Sequence, residues 1–146
     1  MAENVIAGNI DWSKLKTPEM IFAENKDKKL ALVSTAFTGY CKGAFACSYG
    51  WPMQFAEADV QKMEGAVKLL ENDPSQAPYV VDAEDTLHTG VTLDDMKAIQ
   101  LEMMQHYAAA YLRKQQLRAI VTACTTQAEL DAVEITWEEN TNADNS

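Results

Sequence analysis

The sequence predicts a mainly α chain, with an α+β variant left open by one glycine-rich apolar segment. Three observations carry that prediction. Residues 91 to 124 contain no Pro or Gly and open on a capping motif. Val60, Met63, Val67 and Leu70 of a second segment fall at i, i+3, i+7 and i+10, one face of a 3.6-residue period. Apolar residues make up 47% of the chain and charged residues 23%, the balance of a globular chain rather than a disordered one. Its 146 residues suit one domain, or a domain with an arm, and are enough for a real core.

Taken in order, residues 1–16 read as an arm or loop, with Trp12 as a candidate anchor. Thr17-Pro18-Glu19 is a helix start: a capping hydroxyl, Pro at the first helical position and an acid in the first turn. A short helix through Glu24 follows, then a polar turn or exposed face at Asn25-Lys26-Asp27-Lys28-Lys29. Leu30 to Tyr49 is ambiguous between a buried helix near Leu30–Phe37 and two short strands around Leu30–Val33 and Ala44–Ser48. Periodicity alone does not separate these for a short apolar run. Gly50-Trp51-Pro52 ends the run. The amphipathic helix spans about 55–71, and Asn72-Asp73-Pro74 stops it.

Residues 73–91 form an acidic connector with Pro74, Pro78 and Gly90, in which Tyr79-Val80-Val81 suits one short strand. The connector separates an N-terminal region, residues 1–72, from a long-helix domain, residues 92–139. A polar tail, 140–146, closes the chain. The long helix spans about 92–124 and opens with Thr92-x-x-Asp95, a variant capping box. Asp94 and Asp95 sit where the helix dipole favours negative charge, and Arg113, Lys114 and Arg118 lie toward the opposite end. A seam through Met96, Gln100, Met103, Tyr107, Ala110, Lys114, Leu117, Val121 and Cys124 alternates steps of four and three, the spacing of a coiled-coil stripe. A second stripe through Ile99, His106 and Ile120 overlaps it, so the rod is expected to pack on more than one neighbour. Thr126-x-x-Glu129 is a capping box for a short helix, about 127–133.

Charge excludes one class of partner. The net charge is −10, whereas binding a phosphate backbone needs clustered Lys and Arg. Residues 1–50 carry six Lys and five acids, and residues 51–146 carry six Lys or Arg and seventeen acids. No Lys or Arg occurs between Lys68 and Lys97, a stretch holding Glu71, Asp73, Asp82, Glu84, Asp85, Asp94 and Asp95. This reads as a solvated acidic surface, or as a docking face for a basic partner. Leu30 to Trp51, the most apolar stretch, contains Lys42, three glycines and several hydroxyls, so no membrane span is expected. Met1-Ala2-Glu3-Asn4 lacks the basic-then-apolar pattern of a signal peptide. Cys41, Cys47 and Cys124 make an odd count without CxxC, which suits reduced thiols.

No reaction is spelled out. The histidines are His88 and His106 alone, and Cys41-x5-Cys47 is not zinc-ligand spacing. Glu102 and His106 form an ordinary i, i+4 pair. No phosphate loop, dinucleotide-binding glycine pattern or G-x-S-x-G elbow occurs. The expectation is no catalytic residue, no cofactor and no metal. Contact residues are expected instead at Trp12, Tyr49, Trp51, Met103, Tyr107, Tyr111, Leu117, Val121 and Trp137, because aromatic and adaptable apolar side chains dominate interface hot spots.

Residues 88–137 carry three further runs: V-T-L-D-D-M-K-A-I, then H-Y-A-A-A-Y-L-R-K-Q-Q-L-R-A-I, then A-C-T-T-Q-A-E-L-D-A-V-E-I-T-W. With Thr92, Ala108 to Ala110, Leu117, Thr125, Thr126, Leu130 and Trp137 in place, the segment resembles a domain of unknown function from tailed bacteriophages. That domain ends tail-fibre-associated and other short phage proteins. Where such members carry an acid beside the central basic position, this chain reads Arg113-Lys114-Gln115. The resemblance implies phage origin and a tail- or virion-associated structural, adaptor or assembly role. The implied partners are phage structural proteins or further copies of the chain, in the virion or the host cytoplasm. The competing expectation is an acidic phage inhibitor of a host defence or nucleic-acid enzyme, its carboxylates imitating phosphates.

Overall fold

A computed structural model describes residues 15–137; Trp12 with the rest of residues 1–14 of the expected arm, residues 138–139 and the polar tail lie outside the described residues. The fold is mainly helical, with two small antiparallel hairpins set between the helices.

Helix α1 spans Pro18–Tyr40. Thr17 caps it, its hydroxyl accepting from the Met20 amide at 3.1 Å, and Pro18 takes the first-turn position where its missing N–H costs nothing. Asn25–Lys29 is not a turn but the middle of this helix, and Leu30–Val33 is not a strand. The physical reason is local. No Gly or Pro interrupts residues 19 to 38, and Lys is a competent helix former. The polar run also has partners on the far end of the chain: Asn25 Nδ2 donates to Gln127 Oε1 at 3.0 Å, and Lys26 Nζ to the Thr122 carbonyl at 2.9 Å.

Strands β1 (Ala44–Ala46) and β2 (Pro52–Gln54) pair antiparallel, with Phe45 opposite Met53. Their turn uses Gly50 at φ 96°, a conformation that suits a residue without Cβ. Helix α2 spans Glu57–Asn72 and buries Met63, Val67 and Leu70, as its spacing predicts. The Asp59 carboxylate accepts from the Ala56 amide at 3.2 Å at its start.

The acidic connector folds into a second hairpin, β3 (Tyr79–Val81) with β4 (Leu87–Thr89), Val80 opposite His88. The Ala83 amide donates to the Pro52 carbonyl at 2.9 Å, joining the two hairpins. Helix α3 is continuous over Leu93–Ala123, 31 residues, or ~46 Å at 1.5 Å per residue. Thr92 and Asp95 form the expected reciprocal cap, at 3.0 and 2.8 Å. Helix α4 is shorter than expected, Gln127–Asp131, and is capped by Thr126 with Glu129.

Two cores lie along α3. One gathers Val33 and Cys41 of the α1 side, Phe55, the α3 residues Ala110, Leu117 and Val121, then Cys124, Leu130 of α4 and Trp137. The other gathers Cys47, Met53, Val80, the α2 face, and Met96, Ile99 and Met103 at the start of α3. The N-terminal region, connector and long helix therefore bury their apolar residues together.

Candidate interaction surface

The buried side of α3 comprises Met96, Ile99, Met103, Ala110, Leu117 and Val121, a merger of the two stripes read from its sequence. Lys114, which interrupts the seam, places Nζ 4.9 Å from the Phe37 ring centre, so its charge is stabilised by a π face while its stem packs.

Burial within the chain takes four of the nine expected contact residues. Met103, Leu117, Val121 and Trp137 are buried inside this chain and are not available to a partner. Trp137 donates its indole N–H to the Ala110 carbonyl at 2.8 Å, fixing the chain's last described residue against the middle of α3. Tyr107 and Trp51 are half-buried, while Tyr49 and Tyr111 are exposed. Trp12 lies outside the described residues. The apolar seam is satisfied by α1, α2 and α4, because the chain folds back on its own rod.

The apolar surface open to solvent lies on the opposite side of the same helix. Leu101 is 54% exposed, Met104 45% and Leu112 58%; Ala108, Gln115 and Ala119 are exposed among them. Spacings of three, four and seven put these residues on one face. A second apolar face belongs to the β3–β4 hairpin. The register places Tyr79 opposite Thr89 and Val81 opposite Leu87; all four are exposed. Tyr79, Leu87 and Thr89 line an open hollow of about 530 Å³ with Ala77, Pro78, Gly90 and Val91.

The polar clusters serve the backbone. Asp82, expected on a solvated acidic face, is buried. Its Oδ1 accepts from the Glu84 and Thr86 amides at 2.8 and 3.0 Å, and its Oδ2 meets His88 Nε2 at 2.8 Å. The His88 hydrogen bond is the main reason the Asp82 carboxyl is held below the usual carboxylate range. Trp51 stacks on the His88 ring at 3.8 Å, with Tyr49 stacked beyond it at 5.6 Å. The Tyr49 hydroxyl donates to Asp95 Oδ1 at 2.7 Å, which pushes the phenol up to about 12. Glu102 does not pair with His106. It accepts from the Ser48 amide at 2.8 Å, while His106 stacks on Phe45 at 4.0 Å. These contacts pin both hairpins to the first half of α3. Sequence reasoning missed them because each joins residues far apart along the chain or across a hairpin.

A cleft of about 680 Å³ lies beside Trp137, lined by His106, Arg113, Gln116 and Glu134 among others. Arg113 Nε donates there to the Thr136 carbonyl at 3.0 Å, so it too holds the C-terminal segment in place. Among the described residues, no three or more His, Cys, Asp or Glu gather as metal ligands. No described helix is long and apolar enough to cross a membrane.

No curated protein and no solved structure matches this chain. One domain family does, and its match, residues 24–135, takes in most of α1 and all of both hairpins, α2, α3 and α4. The chain therefore belongs to the family described as a domain of unknown function, DUF4376.

Proposed function

We propose that the protein works by contact rather than catalysis, as a tail- or virion-associated structural, adaptor or assembly component of a bacteriophage. The observation that carries the contact reading is the exposed apolar face of α3, with Leu101, Met104 and Leu112 turned away from both cores. Contiguous apolar surface of that kind marks interaction sites. The phage context rests on the resemblance of residues 88–137. The competing reading, an acidic inhibitor, draws on the net charge of −10. It is weakened because Asp73, Asp82 and Asp95 accept hydrogen bonds from their own segments.

Fractionation of an infected culture tests the proposal. The protein is expected in purified particles, or in assembly intermediates that sediment with tail components. Its recovery solely in complex with a host enzyme, released sharply by moderate salt as screened charge pairs are, would replace the structural reading with the inhibitory one.

A further inference from the structure

The cleft beside Trp137 collects polar groups that the fold itself leaves unused. Gln105, Ala109, Arg113 and Gln116, spaced four, four and three apart, make one face of α3, and that face lines the cleft. Glu134, Thr136 and Trp137 of the C-terminal segment line it too, with Tyr40 from the end of α1. Its volume of about 680 Å³ falls within the range of small-molecule pockets, roughly 300–1,000 Å³. Arg113 is half-buried. Its Nε–H is taken by the Thr136 carbonyl, which fixes the plane of the guanidinium. The Nη edge, the fork that grips a carboxylate, has no described acceptor. In a chain with 22 acids and 12 Lys or Arg, a half-buried cation without a carboxylate is informative. Lys16, Lys68 and Lys97, more exposed, each have one. Glu134 lines the same cleft, yet it makes no ion pair with Arg113 or with any other described residue.

We infer that this cleft binds a zwitterion, an α-amino acid with an aromatic side chain, its carboxylate on the Arg113 fork and its ammonium on Glu134. The two side-chain charges cancel within the cleft. A simple anion drawn to Arg113 meets Glu134, and a simple cation drawn to Glu134 meets Arg113. A molecule of no net charge that carries both ions on one carbon skeleton satisfies each side chain and leaves neither unpaired. Phosphate esters, negative only, are disfavoured on the same ground. The amides of Gln105 and Gln116 line the cleft without a described hydrogen bond, and they supply further donors and acceptors to the charged end of the ligand. For its apolar end the cleft offers Tyr40, whose ring is 36% exposed and stacks on Trp137 at 6.1 Å. A flat aromatic ring extends such a stack. The site is separate from the exposed apolar faces of α3 and of the β3–β4 hairpin, so ligand binding goes beyond the contact role and does not depend on it.

Calorimetric titration of the full chain with L-phenylalanine tests this, with two derivatives as controls. N-acetyl-L-phenylalanine lacks the ammonium, and L-phenylalanine methyl ester lacks the carboxylate. The expected result is saturable binding of L-phenylalanine at one site per chain, with each derivative at least ~10-fold weaker. Glu134→Gln should weaken L-phenylalanine by at least ~10-fold at an unchanged melting curve, yet bind the acetylated form no worse than the natural chain does. Arg113→Lys keeps the charge but loses the fork, and should weaken L-phenylalanine while leaving the methyl ester unaffected. If that variant fails to fold because the Thr136 contact is lost, Glu134→Gln, at an exposed position, decides alone. No saturation by about 10 mM, a derivative that binds as tightly as L-phenylalanine, or affinity indifferent to Glu134→Gln would overturn the inference. A chain found in particles that binds no amino acid would sink the ligand site alone. A chain that binds L-phenylalanine but is absent from particles and tail intermediates would sink the virion role alone.

Discussion

Trp137 joins a large buried ring to a specific hydrogen bond, its N–H meeting the Ala110 carbonyl. Trp137→Ala is expected to cost ~3–5 kcal/mol as a buried aromatic truncation. Trp137→Phe should cost ~1 kcal/mol through the lost hydrogen bond, less any packing change. Urea unfolding of both variants measures the split, and equal costs would mean that the hydrogen bond, not the buried ring, carries the stabilisation. The Tyr49 phenol, held at about 12 by Asp95, gives a pH signature. A raised phenol value means that the bond's stabilisation is fully present below the ordinary tyrosine range and lost as pH rises through about 12. Absorbance titration should resolve one late tyrosine, and Asp95→Asn should move it toward ordinary values. Neither residue's role was legible from the chain. Trp137 looked like an anchor for a partner because an aromatic residue at the end of a helical domain carries no mark of which surface it covers.

Helix boundaries were readable where a side chain writes its own cap. Thr17, Thr92 and Thr126 each accept the amide three residues on, as their local patterns imply. Thr92→Ala should therefore cost ~1 kcal/mol, measurable as a shifted denaturation midpoint at unchanged slope. The hairpins were less legible. Strands of three residues carry almost no periodicity, and only the first half of the connector looked like a strand. Its second half was masked because Asp82, Glu84 and Asp85 read as solvated charge. Asp82 instead organises the turn, and Asp85 completes it at φ 65°. Because the Asp82 carboxyl is held low, its contribution is present above the ordinary carboxylate range and lost as pH falls through its folded value. Hydrogen-exchange protection of the Glu84 and Thr86 amides should follow that titration and vanish in Asp82→Ala at neutral pH. Protection untouched by the substitution would show that the turn holds without the carboxylate.

At the scale of the whole molecule, the rod was legible as a rod but not by the company it keeps. Its apolar seam looked like an assembly surface, because nothing local distinguishes a seam covered by another chain from one covered by α1, α2 and α4. Lys114 broke the pattern only until Phe37 supplied a π face. Two substitutions on opposite sides of α3 make the distinction measurable. Leu117 is 1% exposed, so Leu117→Glu buries an unpaired charge and should abolish cooperative thermal unfolding. Leu112→Glu should leave that transition intact. Similar melting curves for the two would mean that the assigned inner and outer sides are wrong.

The sulfur atoms carry one more consequence. Cys41, Cys47 and Cys124 are free and buried, and they are shared between the two cores; burial pushes the Cys41 thiol up and makes it less nucleophilic. A maleimide dye added to the native protein can reach them only while the fold breathes, so the labelling clock at each sulfur times the opening of its own half of the molecule. Cys47 timing the hairpin half and Cys124 the far half, the chain comes with its own pair of stopwatches for whether its two ends open together or one at a time.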